Sequence, residues 1–584
     1  MEAIKCEIGS TTLTVTDEGL AINIPRSYWS KKEWQWLVQV VTQLMGAGLM
    51  WITAPSTIGS GQTDKGGARW KNIKIDGLSR LLYALMIPDK HPLRGLYDAF
   101  DWERIDQLCA PEYKNGAKGA PAYPPQVLFR IMVLMVYSGT PFESATLRQL
   151  KTDVVWRWFV GLSVLSLIPD AATLSYFRKR LGVALFETIL VEVITACDKA
   201  GLIEHQESYY DMTGVEASAT QVTPYQRAVI LAKAMSAYLD QEQGGIGPIS
   251  PEEIAAIALE VLQEPHPSLK QVKAGQIVAS QAKLEEKVSG KVKGEPQWWQ
   301  RLRQKVKEMG RQLTGALESR RDDLRQVASQ LAPTLPQAFG NPDAAVGHTR
   351  TNGTMCGYRS GFLVDAQHRI ITAVVFVALN TAEAPTVLTA LDKHYAIFHR
   401  YPQRLGLDSA FDRDEVHLGA RQRHLDSVAT ARSRPGPKGV FHADAFIWNE
   451  QGQLLCPHGA VMEKVAGPYK NGTDRYRATA DCAQCPLLAQ CLTAKQQLKQ
   501  QPCRELVTHT AAHQRAQQNR ARSRSDEGWA LRRRRFAAEG LFGHLNRYHN
   551  GDKAPYREGP MDHIAQLMVA FTSNLEQLAA HAEA

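Results

Sequence analysis

Hydrophobic and polar residues alternate along several short stretches of this chain, a pattern typical of β-strands. Residues 10–24 alternate on both sides of a turn, which predicts a β-hairpin near the N-terminus. Apolar or aromatic runs end close to residues 211 and 408, and we predict a strand in each run. Residues 357–380 predict two further strands joined by a turn, and residues 384–395 predict a helix. This order of elements indicates a mixed α/β sheet.

Apolar positions at a helical spacing predict several helices outside this sheet. One begins near Ser30, and residues 126–137 are apolar enough to form a buried helix. Asp170 is predicted to cap a helix that turns its leucines and phenylalanine inward and its basic residues outward. Residues 224–340 predict a helical insertion, part of which could be a coiled-coil hairpin. The insertion could bind DNA or a second subunit, or it could be a simple spacer.

Composition and charge exclude few classes of protein. The chain has 584 residues, of which 44% are hydrophobic and 22% charged, as in ordinary globular proteins. Its formal charge of +9 is compatible with nucleic-acid binding but does not prove it. We find no apolar stretch that could span a bilayer and no signal peptide, so we expect no membrane partner. Nine cysteines, an odd number, do not resemble a disulfide framework, and we expect a reducing cytoplasm.

Three acidic residues in unlike settings are candidates for a metal site. Asp211 and Asp408 close predicted strands, whereas Glu539 follows four consecutive arginines on a helix-like segment. Carboxylates from such elements can converge on two Mg²⁺ ions about 3.5–4 Å apart. Each acid also has an ordinary structural interpretation. Asp211 could be a strand-end residue, Asp408 could cap the following helix, and Glu539 could pair with Arg535 one turn earlier.

Five motifs, in this order along the chain, resemble those of insertion-sequence DDE transposases, which have an RNase H-like catalytic core. The resemblance extends from about residue 90 to the C-terminus. Any one motif is weak, but five in order are strong. The motifs are Leu167-Ile168-Pro169-Asp170-Ala171-Ala172-Thr173-Leu174-Ser175-Tyr176-Phe177-Arg178, Asp211-Met212-Thr213, Asn341-Pro342-Asp343-Ala344 with Gly357-Tyr358, Asp408-Ser409-Ala410-Phe411-Asp412, and Glu539-Gly540-Leu541-Phe542-Gly543.

The resemblance implies a DNA transposase that cleaves the ends of its mobile element and joins 3′-hydroxyls to target DNA. It implies that Asp211, Asp408 and Glu539 hold two Mg²⁺ or Mn²⁺ ions, with Asp211 bridging both, while Asp412 is a supporting residue. It also implies double-stranded DNA as partner, a homodimer on that DNA, and association with the nucleoid in a bacterial cytoplasm. Two alternatives stay open: a domesticated DNA-binding regulator that does not cut, and an RNase H-fold nuclease without strand transfer.

On this resemblance we predict an α/β protein with an RNase H-like mixed sheet, a mostly helical N-terminal domain, a helical insertion and a cysteine-rich insertion. The predicted division is 1–75 for an N-terminal extension, 76–200 for a helical DNA-binding-like domain, 201–223, 341–440 and 515–584 for three parts of the core, 224–340 for the helical insertion, and 441–514 for the cysteine-rich insertion. The basic helix belongs to the last part of the core.

Basic residues predict where DNA would bind. The basic face of the helix after Asp170 could contact DNA or could simply be a solvated surface. The region before Glu539 is the most basic in the chain and is the second candidate for a DNA contact. Arg535 matches an arginine of the family, whereas Arg532 replaces a tyrosine and Asn546 replaces a lysine. The predicted DNA contacts are Arg178, Lys179, Arg180, Arg520, Arg522, Arg524, Arg532, Arg533, Arg535 and Arg547.

Cysteine spacing predicts a structural zinc site. Two of the cysteines are separated by two residues, a spacing that lets both reach one tetrahedral Zn²⁺. Related transposases carry a similar four-cysteine insertion before the third acid. The alternative is a set of unlinked, reduced cysteines, and His458 or Cys503 could replace one ligand. The predicted ligands are Cys456, Cys482, Cys485 and Cys491.

Overall fold

The N-terminal residues form a small antiparallel sheet. Its strands are β1 (Ile4–Ile8), β2 (Thr11–Thr16) and β3 (Gly19–Asn23), in that order across the sheet. The pairing of β2 with β3 confirms the predicted hairpin, and β1 adds a strand to it. The helix predicted from Ser30 lies outside the described residues. The computed structural model describes residues 4–8, 11–16, 19–23, 70–113, 121–140, 142–239, 249–264, 266–289, 297–312, 320–349, 353–431 and 440–583.

A group of helices precedes the central sheet. As predicted, the helix Pro125–Tyr137 is buried along almost its whole length, and Asp170 caps the helix Ala171–Lys199 by accepting a hydrogen bond from the Thr173 N–H at 2.7 Å. These helices are α1 (Gly77–Met86), α2 (Pro92–Asp98), α3 (Glu103–Cys109), α4 (Pro125–Tyr137), α5 (Glu143–Thr152), α6 (Val154–Val160) and α7 (Ala171–Lys199).

Five strands form the centre of a mixed sheet. They are β4 (Glu207–Ala217), β8 (Gly353–Asp365), β9 (Ile371–Ala378), β10 (Arg404–Leu407) and β11 (Asp426–Ala429). Their order across the sheet is β9, β8, β4, β10, β11. β8 is antiparallel to both β4 and β9, whereas β4, β10 and β11 are mutually parallel. This arrangement confirms the α/β fold with an RNase H-like core.

Shorter strands extend this sheet at its margins. β7 (Ala345–Thr349) pairs with the first residues of β8, and β17 (Lys553–Ala554) pairs with the end of β4. A separate two-stranded ribbon joins β5 (Thr220–Gln221) to β6 (Ala338–Phe339). The ribbon closes the base of the predicted insertion, because its two strands stand on either side of that segment.

Helices cover both faces of the sheet. On one face lie α13 (Thr386–Phe398) and α14 (Asp414–Gln422), which share a core with the apolar side chains of β8 and β10. On the other face lies α19 (Gly559–Glu583), which packs against α7 and shares a core with the N-terminal helices. Asn574 fastens α19 to the start of β9, since its side-chain amide bonds both the N–H and the carbonyl of Ile371 at 2.8 Å. The N-terminal helices are therefore packed onto the sheet through α19.

The insertion after β4 is a helical bundle with a core of its own. Ser250 caps the helix Pro251–Gln263 by accepting a hydrogen bond from the Glu253 N–H. Leu302 and Leu324 are not paired across a two-helix seam but are buried in one core with the helices Pro224–Leu239 and Pro251–Gln263. Within the described residues the coiled-coil prediction is therefore wrong. The helices are α8 (Pro224–Leu239), α9 (Pro251–Gln263), α10 (Ala274–Ser289), α11 (Gln297–Gln312) and α12 (Arg320–Leu331).

The cysteine-rich segment forms a five-stranded antiparallel sheet with two short helices, α15 (Leu488–Cys491) and α16 (Ala494–Gln497). Two long helices follow, α17 (Thr510–Arg524) and α18 (Asp526–Tyr548), separated at Ser525, which caps α18. No helix in the described part of the chain is both long and apolar enough to cross a membrane. The strands are β12 (Ile447–Trp448), β13 (Leu454–Leu455), β14 (Val461–Ala466), β15 (Asp474–Ala478) and β16 (Glu505–Thr508).

Candidate active site

Parallel pairing of β4 with β10 brings the first two predicted acids to neighbouring positions. Tyr210 is in register with Leu407, so Asp211 and Asp408 follow on adjacent strands. Asp408 directly follows β10 as predicted, and it accepts a hydrogen bond from the Ser409 N–H at 2.5 Å, so it also caps the short turn after the strand. Asp211 does not close its strand, as the sequence suggested, because β4 continues beyond it in pairing with β8.

Helix α18 brings the third acid to the same edge of the sheet. Side chains alternate along β4, so Asp211 lies on the same side as Tyr209, which packs against Leu531 of α18. One turn further along α18, Arg535 contacts two acids at once. Its Nη1 lies 3.3 Å from Asp211 Oδ2, and its Nη2 lies 2.6 Å from Glu539 Oε1. The predicted pairing of Glu539 with Arg535 is thus confirmed, and the same guanidinium reaches the first acid.

The electrostatics of this site centre on Asp211. The pKa of Asp211 is raised to about 6, chiefly by burial and also by the charges of Asp408 and Glu539, against the lowering effects of the Met212 N–H and Arg535. The three acids therefore influence one another electrostatically. The Asp211 side chain keeps 33% of its surface accessible, so an ion can reach it from solvent.

The donor set suits a hard divalent cation. One guanidinium cannot neutralise three carboxylates, so an excess of negative charge remains when all three acids are ionised. Carboxylate oxygens are ligands that Mg²⁺ and Mn²⁺ prefer, whereas softer metals favour nitrogen and sulfur. Asp211, Asp408 and Glu539 could therefore hold such ions, with Arg535 beside them.

A buried hydrogen-bond network supports the second acid. Asp412, four residues after Asp408, is buried and pairs with His417 Nε2 at 2.9 Å. It also accepts a hydrogen bond from Asn519 Nδ2 at 3.0 Å, and Asn519 bonds both backbone groups of Ala429 in β11. The turn that carries Asp408 is thereby held against α17 and β11. Sequence analysis did not identify Asn519, because nothing near position 519 marks it as a partner of a residue more than 100 positions away.

The motifs at residues 341–344 and 357–358 hold helix α19 in place and do not position a candidate catalytic residue. Tyr358 Oη donates to Asn341 Oδ1 at 2.6 Å, and Asn341 Nδ2 donates to Asp562 Oδ2 at 2.8 Å. Asp343 accepts a hydrogen bond from the Gly559 N–H at 2.9 Å, at the first residue of α19. Burial raises the pKa of Asp562 to about 7. Sequence analysis did not identify Asp562, because nothing about a single acidic residue in the first turn of a helix indicates a partner far away in the chain.

The basic face of α7 differs from its prediction. Arg178 was expected to point outward, but it is 2% exposed, pairs with Glu143 and lies over the ring of Tyr556, with its guanidinium carbon 4.0 Å from the ring centre. The outward orientation is therefore wrong for Arg178, because its charge is satisfied inside the protein. Lys179 and Arg180 are exposed as predicted.

The arginines of α17 and α18 differ in how far they are engaged in contacts within the protein and how far they are exposed. Arg520 is only 12% exposed and its Nη1 lies 2.7 Å from Asp444 Oδ1, so it is committed to an internal ion pair. Arg522 forms a similar contact with Asp426 at 2.7 Å, but more than half of its side chain is accessible. Arg532 stacks over the tryptophan ring three residues before it. The remaining arginines predicted to bind DNA on these helices, apart from Arg535, are exposed: Arg524, Arg533 and Arg547.

The predicted zinc ligands influence one another electrostatically. Burial and the neighbouring thiols, Cys485 first and then Cys456, raise the pKa of the Cys491 thiol to about 11. A fifth cysteine belongs to the same cluster, because Cys503 Sγ lies 3.8 Å from Cys482 Sγ. The sequence had named Cys503 as a possible substitute ligand, and the structure brings it to the cluster.

Comparisons with known proteins agree with this site. Residues 83–180 match the family of a transposase domain (DUF772), and residues 455–579 match the family of a transposase DDE domain. The first match covers α2 to α6 and the start of α7, and the second covers the cysteine cluster and Glu539. Neither the search of curated proteins nor that of solved structures found a match. These two domain matches, together with the RNase H-like sheet, support an insertion-sequence DDE transposase.

Proposed function

We propose that this DNA transposase cleaves the ends of its own mobile element and joins the resulting 3′-hydroxyls to target DNA. One observation carries the proposal. The pairing of β4 with β10 puts Asp211 and Asp408 side by side, and Arg535 of α18 contacts both Asp211 and Glu539, at a site open to solvent. Three acids assembled from three separate elements favour the binding of divalent cations over an ordinary surface role.

The residues of the site would have different roles in phosphoryl transfer. Asp211, Asp408 and Glu539 would hold two Mg²⁺ or Mn²⁺ ions. When bound, such ions neutralise the phosphodiester, activate the attacking oxygen and stabilise the leaving oxygen. Arg535 would keep Asp211 and Glu539 in place, since its two Nη atoms contact both carboxylates. Its forked guanidinium also suits contact with a phosphate of the DNA.

We place the DNA along the exposed arginines of α17 and α18. Arg522, Arg524, Arg533 and Arg547 are accessible on the two helices that lead to and past Glu539. Guanidinium groups there would neutralise phosphates without reading the base sequence. Lys179 and Arg180 of α7, with Arg532, complete the proposed contact surface.

The cysteine cluster would hold one structural Zn²⁺ through Cys456, Cys482, Cys485 and Cys491, with Cys503 close enough to replace Cys482 or to assist it. A site with four protein ligands leaves no open position, so its contribution would be to the folding of the sheet β12–β16. We further propose that the protein acts as a homodimer on DNA and associates with the nucleoid of a bacterial cytoplasm.

The test uses a plasmid that carries the gene with its flanking DNA, the purified full chain, and Mg²⁺. Asp211→Asn, Asp408→Asn and Glu539→Gln should each abolish cleavage while gel-shift binding persists, because they remove a metal ligand without changing the shape of the side chain. The matched control is Glu527→Gln, an exposed glutamate at the start of the same helix α18.

Three outcomes separate the proposed activity from its alternatives. Cleavage followed by joining of the ends supports a transposase, and cleavage without joining indicates a nuclease. DNA binding without cleavage by the wild-type chain indicates a non-cutting regulator. Normal cleavage by one of the three variants would remove that residue from the proposed site.

A further inference from the structure

Three side chains that commonly bind metals meet where α18 ends against α19. His544 lies in the last turns of α18, His549 directly follows that helix, and Glu576 projects from α19. Glu576 Oε2 lies 3.0 Å from His549 Nε2 and 3.7 Å from His544 Nε2. One ligand atom from each residue lies within 4.8 Å of the other two. The proposed catalytic function uses none of these residues.

The backbone fixes the orientation of the His549 ring. Its Nδ1 lies 3.1 Å from the carbonyl oxygen of Val136, at the end of α4. A carbonyl only accepts hydrogen bonds, so Nδ1 must carry the proton, and a neutral ring then turns the lone pair of Nε2 toward Glu576. A lone pair facing a carboxylate oxygen requires a cation between them, either a proton or a metal ion. An imidazole oriented through a backbone carbonyl is also a common arrangement around protein-bound metals.

The position of His544 favours a metal ion over a proton. A protonated His549 paired with Glu576 involves only those two residues. However, His544 Nε2 also lies 3.7 Å from Glu576 Oε2, too far for a hydrogen bond but close enough to share an ion, while its ring contacts those of Tyr548 and His549. Ligands about 2.1 Å from a tetrahedral metal lie about 3.4 Å apart. The two separations from Glu576, 3.0 and 3.7 Å, bracket that value, and one nitrogen of each imidazole lies within 4.8 Å of the other. A single ion could therefore contact all three residues with small movements of the side chains.

We propose that His544, His549 and Glu576 form a binding site for a divalent transition-metal ion such as Zn²⁺. Two imidazoles and one carboxylate favour zinc and its neighbours over Mg²⁺, which prefers oxygen ligands alone. His549 is almost fully buried, whereas 46% of His544 and 22% of Glu576 are accessible. An ion can thus enter from solvent.

Occupation of this site would join three parts of the fold. The ion would fasten the end of α18, the helix that carries Glu539, to α19 and, through the Val136 carbonyl, to α4. The catalytic helix and the N-terminal helices would then be held together by one ion. The site is chemically distinct from both the three acids and the cysteine cluster, because two of its three ligand atoms are imidazole nitrogens.

The experiment measures Zn²⁺ binding to the full chain by elemental analysis and by calorimetric titration. His544→Gln is the informative variant, since the side chain is half accessible and its loss leaves the core intact. We expect this variant to bind one Zn²⁺ fewer per chain, or to bind that ion at least about tenfold more weakly. His581→Gln, an exposed histidine on α19, is the matched control and should behave as the wild type.

Substituting Co²⁺ for Zn²⁺ distinguishes this site from the cysteine cluster, because thiolate ligands give intense charge-transfer absorption that imidazole and carboxylate ligands lack. We expect His544→Gln to leave the thiolate absorption unchanged while one Co²⁺ is lost. Unchanged stoichiometry and affinity in His544→Gln would overturn the proposal and leave His549 and Glu576 as a simple ion pair. Neither measurement depends on DNA cleavage, so failure here would leave the proposed transposase activity untouched.

Discussion

Acidification should weaken metal binding at the catalytic carboxylates, and Asp211 sets the expected size of the effect. With a pKa of about 6, this carboxyl would be about 90% ionised at pH 7 and about 10% ionised at pH 5. Only the ionised form binds a metal, so the affinity is retained above pH 6 and lost as the pH falls through that value. The apparent dissociation constant should therefore rise about tenfold between pH 7 and pH 5. A third of the side chain is accessible, so solvent screening makes tenfold an upper limit.

Mn²⁺ is the suitable probe, because electron paramagnetic resonance reports the free ion directly and needs no DNA. The measurement should use the His544→Gln chain, so that the second proposed metal site does not contribute to the binding. Titrations at pH 5, 6, 7 and 8 should show affinity that increases up to about pH 7 and then levels off. High Mn²⁺ concentration should restore full occupancy at pH 5, because the metal displaces the proton from Asp211.

Asp211→Asn in the same background provides the control, since an amide does not titrate in this range. It should bind Mn²⁺ weakly at every pH, with no change around pH 6. Equal affinity at pH 5 and pH 7 in the chain that keeps Asp211 would refute the reasoning. The same would follow if Asp211→Asn showed the full pH dependence, because another group would then be responsible.

Three further predictions concern the buried carboxyl of Asp562, the exposed arginines and the cysteine cluster. The carboxyl of Asp562 titrates at about 7 in the folded chain against 3.8 in a free carboxyl, so the wild type should lose up to about 4 kcal/mol of stability between pH 4 and pH 7. Asp562→Asn should lack this loss. The melting temperature of the variant minus that of the wild type should therefore be larger at pH 8 than at pH 5. Replacing both Arg524 and Arg533 with Gln should reduce the log–log salt slope of DNA binding by about 0.9 for each phosphate contact removed. Cys482→Ser combined with Cys485→Ser should remove one Zn²⁺ per chain in elemental analysis.

Each of these expectations has a clear contrary result. A constant difference in melting temperature between Asp562→Asn and the wild type across pH would show that this carboxyl does not titrate differently on folding. An unchanged salt slope with unchanged affinity would show that Arg524 and Arg533 do not contact DNA. Full zinc content after both cysteines are replaced would place the ion elsewhere.

The sequence could predict elements and local pairs, because those depend on residues close together in the chain. The strands around Asp211 and Asp408, the Asp170 cap and the contact of Glu539 with Arg535 are of this kind. Partners brought together by folding carry no such signal, and Asp562 bonds an asparagine 221 positions away. The short motif at Asn341 matched the family, but its role in fastening α19 became visible only in the fold.

Arg178 shows how charge can mislead an argument from periodicity. Leu174, Phe177 and Leu181 are buried on α7, and position 178 lies four residues after the first and three before the last. By helical spacing it therefore belongs to the same face as the buried residues. Its charge favours the outer face, since arginine is rarely buried, but Glu143 and Tyr556 supply partners that make its burial possible.

The core shared by α4, α7 and α19 has a consequence for how the protein matures on the ribosome. Phe571 of α19 lies against Phe129 of α4, with ring centres 4.9 Å apart. A ribosome that has finished α7 at Lys199 must still add 384 residues before it completes α19 at Glu583, which takes roughly 20–80 s at about 5–20 residues per second. During that interval the aromatic side chains that pack against α19 in the folded protein are exposed. We therefore expect prematurely terminated chains to be degraded or to bind chaperones, and not to persist as stable fragments that compete for DNA.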